Sequence, residues 1–596
     1  MLVSLKFPIK QALTRDSRSV GTLLQTIANI KNKGVEAKGD VLFNSRRLRP
    51  SDRTQVLSYV AQEAPLLGEF TVHESLWFAA RLYFGYFEVD RKTIQAKIDD
   101  VIDAVSLDEC RDVVVGNLFF RGLSGGQRKR LSIALELISS PACLILDEPT
   151  SGLDSAAAFN LLQSLRELAK LGHTLIASLH QPSSKMWAEF SNVMLMSQGH
   201  CVYFGSADGA VDYFASIGYK CPDHFNPSDY FSGLLSTDFS MFDNLDVKSA
   251  EELAEVYNKS ATKRMELAVH LENVDKGRKT LAVGNKKTSR LSGRLSKGMM
   301  SVTADNRKYD NLNDDEPRKL FQSNASMKRA GFFSTLFTLL HRFLMSLYRD
   351  PGVLLARVGV YIGLGLTLGL FYLNIGRSYD TNALLARASV CLAQVGFYSF
   401  LNIAAVPFIM ENRHVMDRER KNGAYSVGAY VVADILTIVP ASAVLALVAS
   451  VLVVFMVSLN NFGRFFLGMW VLLFTAECLV QAVSCLFAKM EAAVATCAGA
   501  FGVLTLCSGF LTPIAEMNWA IRWISYVSPL RYAFRLFLTN EVIDMNTTDS
   551  LQFPSGDALL DFFGINDSDY WTDLGIILAL ACGYAICIDL GLRFLR

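Results

Sequence analysis

The sequence predicts two parts of different fold class: an α/β domain over residues 1–235 and an all-α polytopic membrane domain of about six transmembrane helices over residues 351–596. Three observations predict this division. Charged residues crowd the first half, whereas Leu, Val, Ala and Phe dominate after Pro351. The first half alternates short apolar runs with helical patterns, and the second carries apolar stretches long enough to cross about 30 Å of hydrocarbon. Mean hydropathy is +0.25 with 51% hydrophobic residues, above the content of an ordinary soluble domain.

The opposing charges nearly cancel (58 Lys and Arg against 57 Asp and Glu), so nothing points to a nucleic-acid partner. The eleven cysteines form no CxxC pair and no zinc-site spacing. Cys478, Cys485, Cys497, Cys507, Cys582 and Cys587 sit inside apolar runs, where cysteine acts as a small hydrophobe. The start of the chain has no positive, apolar, small-residue pattern of the signal-peptide kind, which places the first half in the cytosol.

In chain order, the α/β pattern runs from about Leu23 to Gly205. Cys143–Leu146 and Thr174–Ala177 read as parallel strands because they are apolar on both faces, and Ala156–Leu171 as the crossover helix between them. From about Lys248 to Arg329 the composition turns to Lys, Ser, Asn, Asp and Glu, which predicts a polar, partly disordered linker over residues 236–330. Within it, Ser292 and Ser296 each follow an arginine by two residues, compatible with phosphorylation or with a plain solvated tether. Residues 331–350 form an amphipathic connecting helix, expected to lie along the membrane surface. Spans are expected near Leu354–Leu373, Ala388–Ile409, Val431–Leu459, Phe465–Phe487, Ala492–Leu511 and Leu574–Leu592.

The densest basic cluster between spans, Glu411–Lys421, belongs in the cytosol by the positive-inside rule. An even number of spans then returns Arg593 and Arg596 to that side and leaves Thr512–Thr572 outside. That outer segment holds two glycosylation sequons, at Asn546 and Asn566, although Asn258 and Asn324 match the same pattern on the cytosolic side.

The chemistry-bearing motifs cluster in the α/β part. Leu123-Ser-Gly-Gly-Gln127 precedes a helix expected from about Leu131 to Ile138, and glycines before a helix let backbone N–H groups approach a phosphate. Cys143-Leu-Ile-Leu-Asp-Glu148 is a buried strand ending in two carboxylates, one able to hold Mg²⁺ and one able to orient or deprotonate water. Ser151-Gly-Leu-Asp-Ser155 comes next, and His180 stands just beyond the following strand.

Together, Leu123–Gln127, Leu144–Ser155 and Leu179-His-Gln-Pro-Ser183 resemble the ATP-binding cassette family, and most closely its G, or White, subfamily of half-transporters. The resemblance implies a nucleotide-binding domain of the P-loop NTPase type followed by an ABC-2 type membrane domain, with ATP and Mg²⁺ as cofactors. It implies that Gln62 contacts Mg²⁺, that Ser124, Gly125, Gly126 and Gln127 form the signature facing the opposite subunit's ATP, and that Asp147 supports Mg²⁺. Glu148 becomes the general base, Asp154 a bridge across the dimer and His180 a γ-phosphate contact. Tyr526–Tyr532 with Asn540-Glu541 resembles the re-entrant segment before the last span, and Glu411–Gly423 resembles the coupling helix. Phe397 and Phe400 fall where subfamily members place aromatic rings against hydrophobic substrates, and Phe510-Leu511 resembles the plug closing the outer end. Glu477, one turn from Gln481, is a pathway candidate or a buried carboxylate satisfied by a neighbouring helix, whereas Asp434 reads as structural.

One element of the pattern is absent. No G-x-x-x-x-G-K-[ST] precedes Gln62, and Val20 stands where the phosphate-loop lysine is expected, so the nucleotide-binding domain reads as incomplete at its N-terminus, without its first strands. Either the sequence is truncated, with residues up to about Ser19 replacing the true start, or the subunit is degenerate; the full family form of Glu148 and His180 favours truncation. The function implied is ATP-driven efflux of hydrophobic or amphipathic molecules (lipid, sterol or xenobiotic) by a homodimer or heterodimer, in the plasma membrane. The alternative is a catalytically incompetent partner that lends its signature and membrane half to a heterodimer.

Overall fold

The structure is a computed structural model. It describes residues 20–30, 41, 56–117, 121–235, 248–260, 263, 330–350, 352–378, 380–512, 514–542, 553, 555–565 and 569–594, with short strand segments at 2–4, 13–14, 37–38, 42–43 and 46–47. Two compact units emerge, residues 1–330 with 418–424, and residues 331–417 with 425–596.

The first unit is built on a six-stranded sheet. Its strands are β1 (Leu2–Ser4), β2 (Leu57–Val60), β3 (Cys143–Leu146), β4 (Thr174–Ser178), β5 (Asn192–Ser197) and β6 (His200–Ser206), in spatial order β6-β5-β1-β4-β3-β2. β2, β3 and β4 are parallel and buried on both faces, as their continuous apolar runs require. The period of two divides their side chains. Leu57, Tyr59, Cys143, Ile145 and Ile176 pack against Leu23, Leu24 and Ile27 of α1 (Val20–Ile27). Val60, Leu144, Leu146, Leu175 and Ala177 face the larger core formed with α2 (Val72–Phe84), α3 (Arg91–Ala104), α4 (Gly125–Leu137) and α5 (Ser155–Lys170). The crossover helix thus runs one residue earlier than the sequence suggests. The slot between β4 and β5 is filled by β1, antiparallel to both, although the sequence pattern left the first strands missing. Sheet edges demand pairing, and a three-residue segment suffices to meet that demand locally.

α6 (Ala207–Ser216) and α7 (Pro227–Leu235) close the α/β part, but within 236–330 a further helix, α8 (Ala250–Lys259), packs on β6. Ser249 and Glu252 form its capping box, Leu253 and Tyr257 are buried, and the Tyr257 hydroxyl donates to Phe204 O at 2.9 Å. With Ala250 and Ala254 also buried, four side chains on one face are enough to dock a short helix whose other face is charged. Ser292, Ser296 and Asn324 lie outside the described residues.

The second unit is helical: α9 (Phe332–Arg349), α10 (Gly352–Phe371), α11 (Thr381–Leu401), α12 (Val406–Lys421, its last turn counted with the first unit), α13 (Val427–Val457), α14 (Phe462–Ser484), α15 (Met490–Leu506), α16 (Trp519–Val527), α17 (Pro529–Val542), α18 (Gly556–Phe562) and α19 (Tyr570–Phe594). Five helical stretches are long and apolar enough to cross a membrane among the described residues: Leu354–Phe371, Thr381–Lys421, Val427–Val457, Phe462–Ser484 and Tyr570–Phe594. The fifth expected span, Ala492–Leu511, is the 17-residue α15. It rises about 26 Å at 1.5 Å per residue, just short of the hydrocarbon thickness. The second expected span is interrupted, since a 3₁₀ turn over Asn402–Ala405 separates α11 from α12.

α9 inverts the pattern of a soluble helix. Ser334, Thr338, Arg342 and Ser346, one turn apart, are buried, while Phe332, Phe333, Phe337, Leu344 and Tyr348 are exposed. Leu339 and Phe343 share the buried face, and a mixed inner face with an apolar outer one suits a helix whose surroundings are lipid. Inside α13, Pro440 has no N–H to donate, and Trp470 Nε1 donates to the neighbouring Val439 O at 3.2 Å. Arg413 of α12 donates to Ser484 O and Phe487 O, closing the C-terminal end of α14. The sequons at Asn546 and Asn566 lie outside the described residues, and Asn258 sits on α8.

Candidate functional site

β2, β3 and β4 end level, Val60 pairing with Leu146 and Leu146 with Ala177. The residues at or just past each strand's end therefore emerge on one edge of the sheet: Gln62, then Asp147 and Glu148, then Ser178 to His180. Ligands of open α/β sheets bind at the carboxyl ends of the strands.

Asp147 is held by two hydroxyls. Tyr59 Oη donates to its Oδ2 at 2.7 Å and Ser178 Oγ to its Oδ1 at 2.8 Å. Each hydroxyl has one proton and spends it on Asp147, leaving its oxygen to accept another bond. Ser178 Oγ accepts the Glu148 N–H at 2.8 Å, and Tyr59 Oη accepts from Gln25 Nε2 at 3.2 Å. Burial, reinforced by the bond to Asp147, pushes the Tyr59 phenol well above its ordinary pKa, so it remains a donor. Glu148 sits at φ +43°, a left-handed conformation costing a non-glycine residue about 1–3 kcal/mol and typical of functional sites. Its Oε2 accepts from Gln62 Nε2 at 2.7 Å, and Lys129 Nζ donates to Gln62 O.

The signature occupies a helix start. Ser124 caps α4 in a capping box: its Oγ accepts the Gln127 N–H at 3.3 Å, and the Gln127 side chain accepts the Ser124 N–H at 2.9 Å. The helix therefore begins at Gly125, with both glycines in its first turn, six residues before the start expected at Leu131. Asp154 likewise caps α5, accepting the Ala157 N–H at 2.8 Å. A Cβ on Gly126 would meet Ala157 Cβ at 3.6 Å, so these two helix N-termini lie side by side. Ser124, Gly125 and Asp154 are exposed there, at the positive ends of two helix dipoles. His180 is exposed beyond β4, followed by Gln181 at φ +46°.

In the helical unit, Phe397 and Phe400 are 58% and 46% exposed, one turn apart on α11. Leu511 is exposed, whereas the Phe510 ring packs between Phe534 and Phe563. Glu477 is buried and accepts two bonds from Arg357, at 3.3 and 3.0 Å, and Arg357 also donates to Asn402 Oδ1 at 2.8 Å. Gln481 Nε2 donates to Asp434 Oδ2 at 2.9 Å.

Sequence reasoning missed Tyr59, Ser178 and Asn422 as members of the site. Tyr59 and Ser178 carried a weak signal, a hydroxyl one residue short of a strand's end or at it, but Ser58 and Thr174 carry hydroxyls on the same strands too. Asn422, whose side chain reaches β2 from 363 residues away, carried no signal beyond its place in Glu411–Gly423, the segment that resembles the coupling helix.

The ABC transporter family model matches residues 21–151 and the ABC-2 type transporter model residues 334–542. The chain is 31% identical to ABC transporter G family member 13 of Arabidopsis thaliana, covering 96% of this chain and 84% of that protein. It is 28% identical to ATP-binding cassette sub-family G member 8 of Homo sapiens, covering 96% and 82%. It is 27% identical to the broad substrate specificity ATP-binding cassette transporter ABCG2 of Mus musculus, covering 96% and 86%. With a nucleotide-binding domain of the ABC type ahead of an apolar helical domain, and with identity at this level over nearly its whole length, the chain belongs to the G family of ABC half-transporters.

Proposed function

We propose that this chain is one half of a dimeric exporter that uses ATP to move hydrophobic or amphipathic molecules (lipids, sterols or xenobiotics) across the plasma membrane, with its nucleotide-binding domain in the cytosol. One observation carries the reading: Gln62, Asp147, Glu148 and His180 come directly after three adjacent parallel strands that end level at one sheet edge. The name of the mouse relative, with its broad substrate specificity, supports a wide cargo range.

The residues fit Mg²⁺ and a polyphosphate. A Cβ on Gly21 would lie 3.1 Å from Asp147 Oδ2, so the start of α1 passes close to the carboxylate, and a helix start is favourable ground for a phosphate. The donors are carboxylate and amide oxygens, which suit a hard cation. Asp147 and Gln62 would hold Mg²⁺, whose charge would offset that of the phosphates. Glu148 accepts the proton of the attacking water, and Gln62 holds its carboxylate in place. His180 donates toward the terminal phosphate, and Gly125 and Gly126 offer N–H groups, and Ser124 its hydroxyl, to the nucleotide of the opposite subunit.

The second reading is a catalytically incompetent partner that supplies its signature and membrane half to a heterodimer. Val20, at the lysine position, favours it. ATP hydrolysis by the purified full chain in lipid, with and without vanadate, separates the two. Vanadate-sensitive turnover without a partner supports the exporter reading. No turnover alone, with turnover restored beside an intact half-transporter and lost in Ser124→Ala, supports the second.

A further inference from the structure

Among the described residues β2 is the last strand of the sheet, and an edge strand leaves outward-pointing N–H and C=O groups without a ladder partner. Here one residue's pair is satisfied by a side chain. Tyr59 N–H donates to Asn422 Oδ1 at 3.0 Å, and Asn422 Nδ2 donates to Tyr59 O at 3.0 Å. An asparagine amide carries one acceptor and two donors in a plane, so it completes the strand as a peptide group would.

The position of Asn422 is fixed by its own backbone. At the end of α12, Gly423 N–H donates to Arg420 O at 2.9 Å and Ala424 N–H to Glu419 O at 2.9 Å, with Gly423 at φ +77°. This is the Schellman arrangement, and it requires a left-handed residue at Gly423. Arg418 holds the same segment from its other end by donating to Pro65 O at 2.6 Å.

Tyr59 has a second role on the orthogonal axis. Its backbone lies in the sheet plane, facing Asn422, while its side chain rises from the sheet face and donates to Asp147 Oδ2 at 2.7 Å. A single residue therefore joins the segment 418–424, flanked in sequence by helices of the membrane unit, to the carboxylate at the sheet edge. We propose that Tyr59 is a positioning residue: seating of Asn422 on its backbone fixes the strand end, and its phenol converts that seating into the orientation of Asp147. The inference rests on Asp147 being the metal-supporting carboxylate of the proposed site, and it makes the state of segment 418–424 an input to that site.

Hydrogen exchange of the nucleotide-free full chain in lipid nanodiscs tests it, by comparing peptides over 57–62 and 146–151. Asn422→Ala should speed exchange in both by on the order of thirtyfold, the value of two lost hydrogen bonds at about 1 kcal/mol each. Tyr59→Phe should speed exchange at 146–151 and leave 57–62 protected, because the backbone clasp survives. In the Tyr59→Phe background, Asn422→Ala should still open 57–62 but add nothing at 146–151. A merely structural Asn422 would perturb 146–151 equally with or without the hydroxyl, and that result, or no effect at 146–151, overturns the proposal. If Asn422→Ala does not fold, Asn422→Asp keeps the shape and the acceptor, removes the donor to Tyr59 O, and is read by the same comparison. Since no nucleotide is added, failure of transport or hydrolysis is scored separately.

Discussion

Glu136, near the C-terminal end of α4, gives the segment 418–424 a pH dependence. It is 4% exposed and faces Arg418, whose Nε lies 4.0 Å from Oε1, together with Asn422, Tyr83 and Glu419. Burial pushes its carboxyl up to about 7 from an ordinary 4.5, with Arg418 and Asn422 pulling back and Glu419 adding to the rise. A folded-state pKa above the unfolded one means that the protonated form is favoured by folding. That stabilisation is full below the unfolded pKa and is lost as pH rises through the folded one. The whole difference is about 3 kcal/mol, of which about 2 kcal/mol falls between pH 5.5 and 7. After correction for intrinsic exchange rates, peptides over 131–139 and 418–424 should therefore open about thirtyfold more readily at pH 7.5 than at pH 5.5. Glu136→Gln, neutral at every pH, should hold both peptides flat across the range. A flat wild type, or an equal slope in Glu136→Gln, refutes the assignment.

Single contacts set three further outcomes. Arg357→Ala strands the buried Glu477 carboxylate and should cost about 3–5 kcal/mol, while replacing both residues by apolar ones should cost much less, read as the temperature of aggregation in detergent. Gly376→Ala places a Cβ 1.9 Å from Ser458 O, a backbone atom unable to rotate away, and should cost about 1–3 kcal/mol in the same assay. Ser124→Ala removes the cap of α4 and should cost about 1 kcal/mol, seen as faster exchange at 124–131, whereas Ser124→Thr should restore protection.

Much of this architecture could be read from residues. Runs such as Cys143–Leu146 are apolar on both faces because helices cover both sides, and the apolar stretches after Pro351 announced themselves by length. The motifs fell at strand ends because function in an open sheet resides there. The misreadings share a cause, local contacts that composition averages away. The capping box of Ser124 and Gln127 starts α4 at glycines that propensity would keep out of a helix. Leu253 and Tyr257 dock α8 within a segment whose mean composition is polar. The Arg357–Glu477 pair and the Asn422–Tyr59 clasp join residues 120 and 363 positions apart, beyond any local pattern.

The most direct measurement is translocation itself. Proteoliposomes holding the full chain, alone or with an intact half-transporter, are loaded with a fluorescent phospholipid or sterol and followed on addition of ATP. ATP-dependent, vanadate-sensitive movement that is lost with Glu148→Gln, or with Ser124→Ala in the heterodimer, is the result expected. Movement that proceeds equally without nucleotide, or none beside any competent partner, contradicts the account.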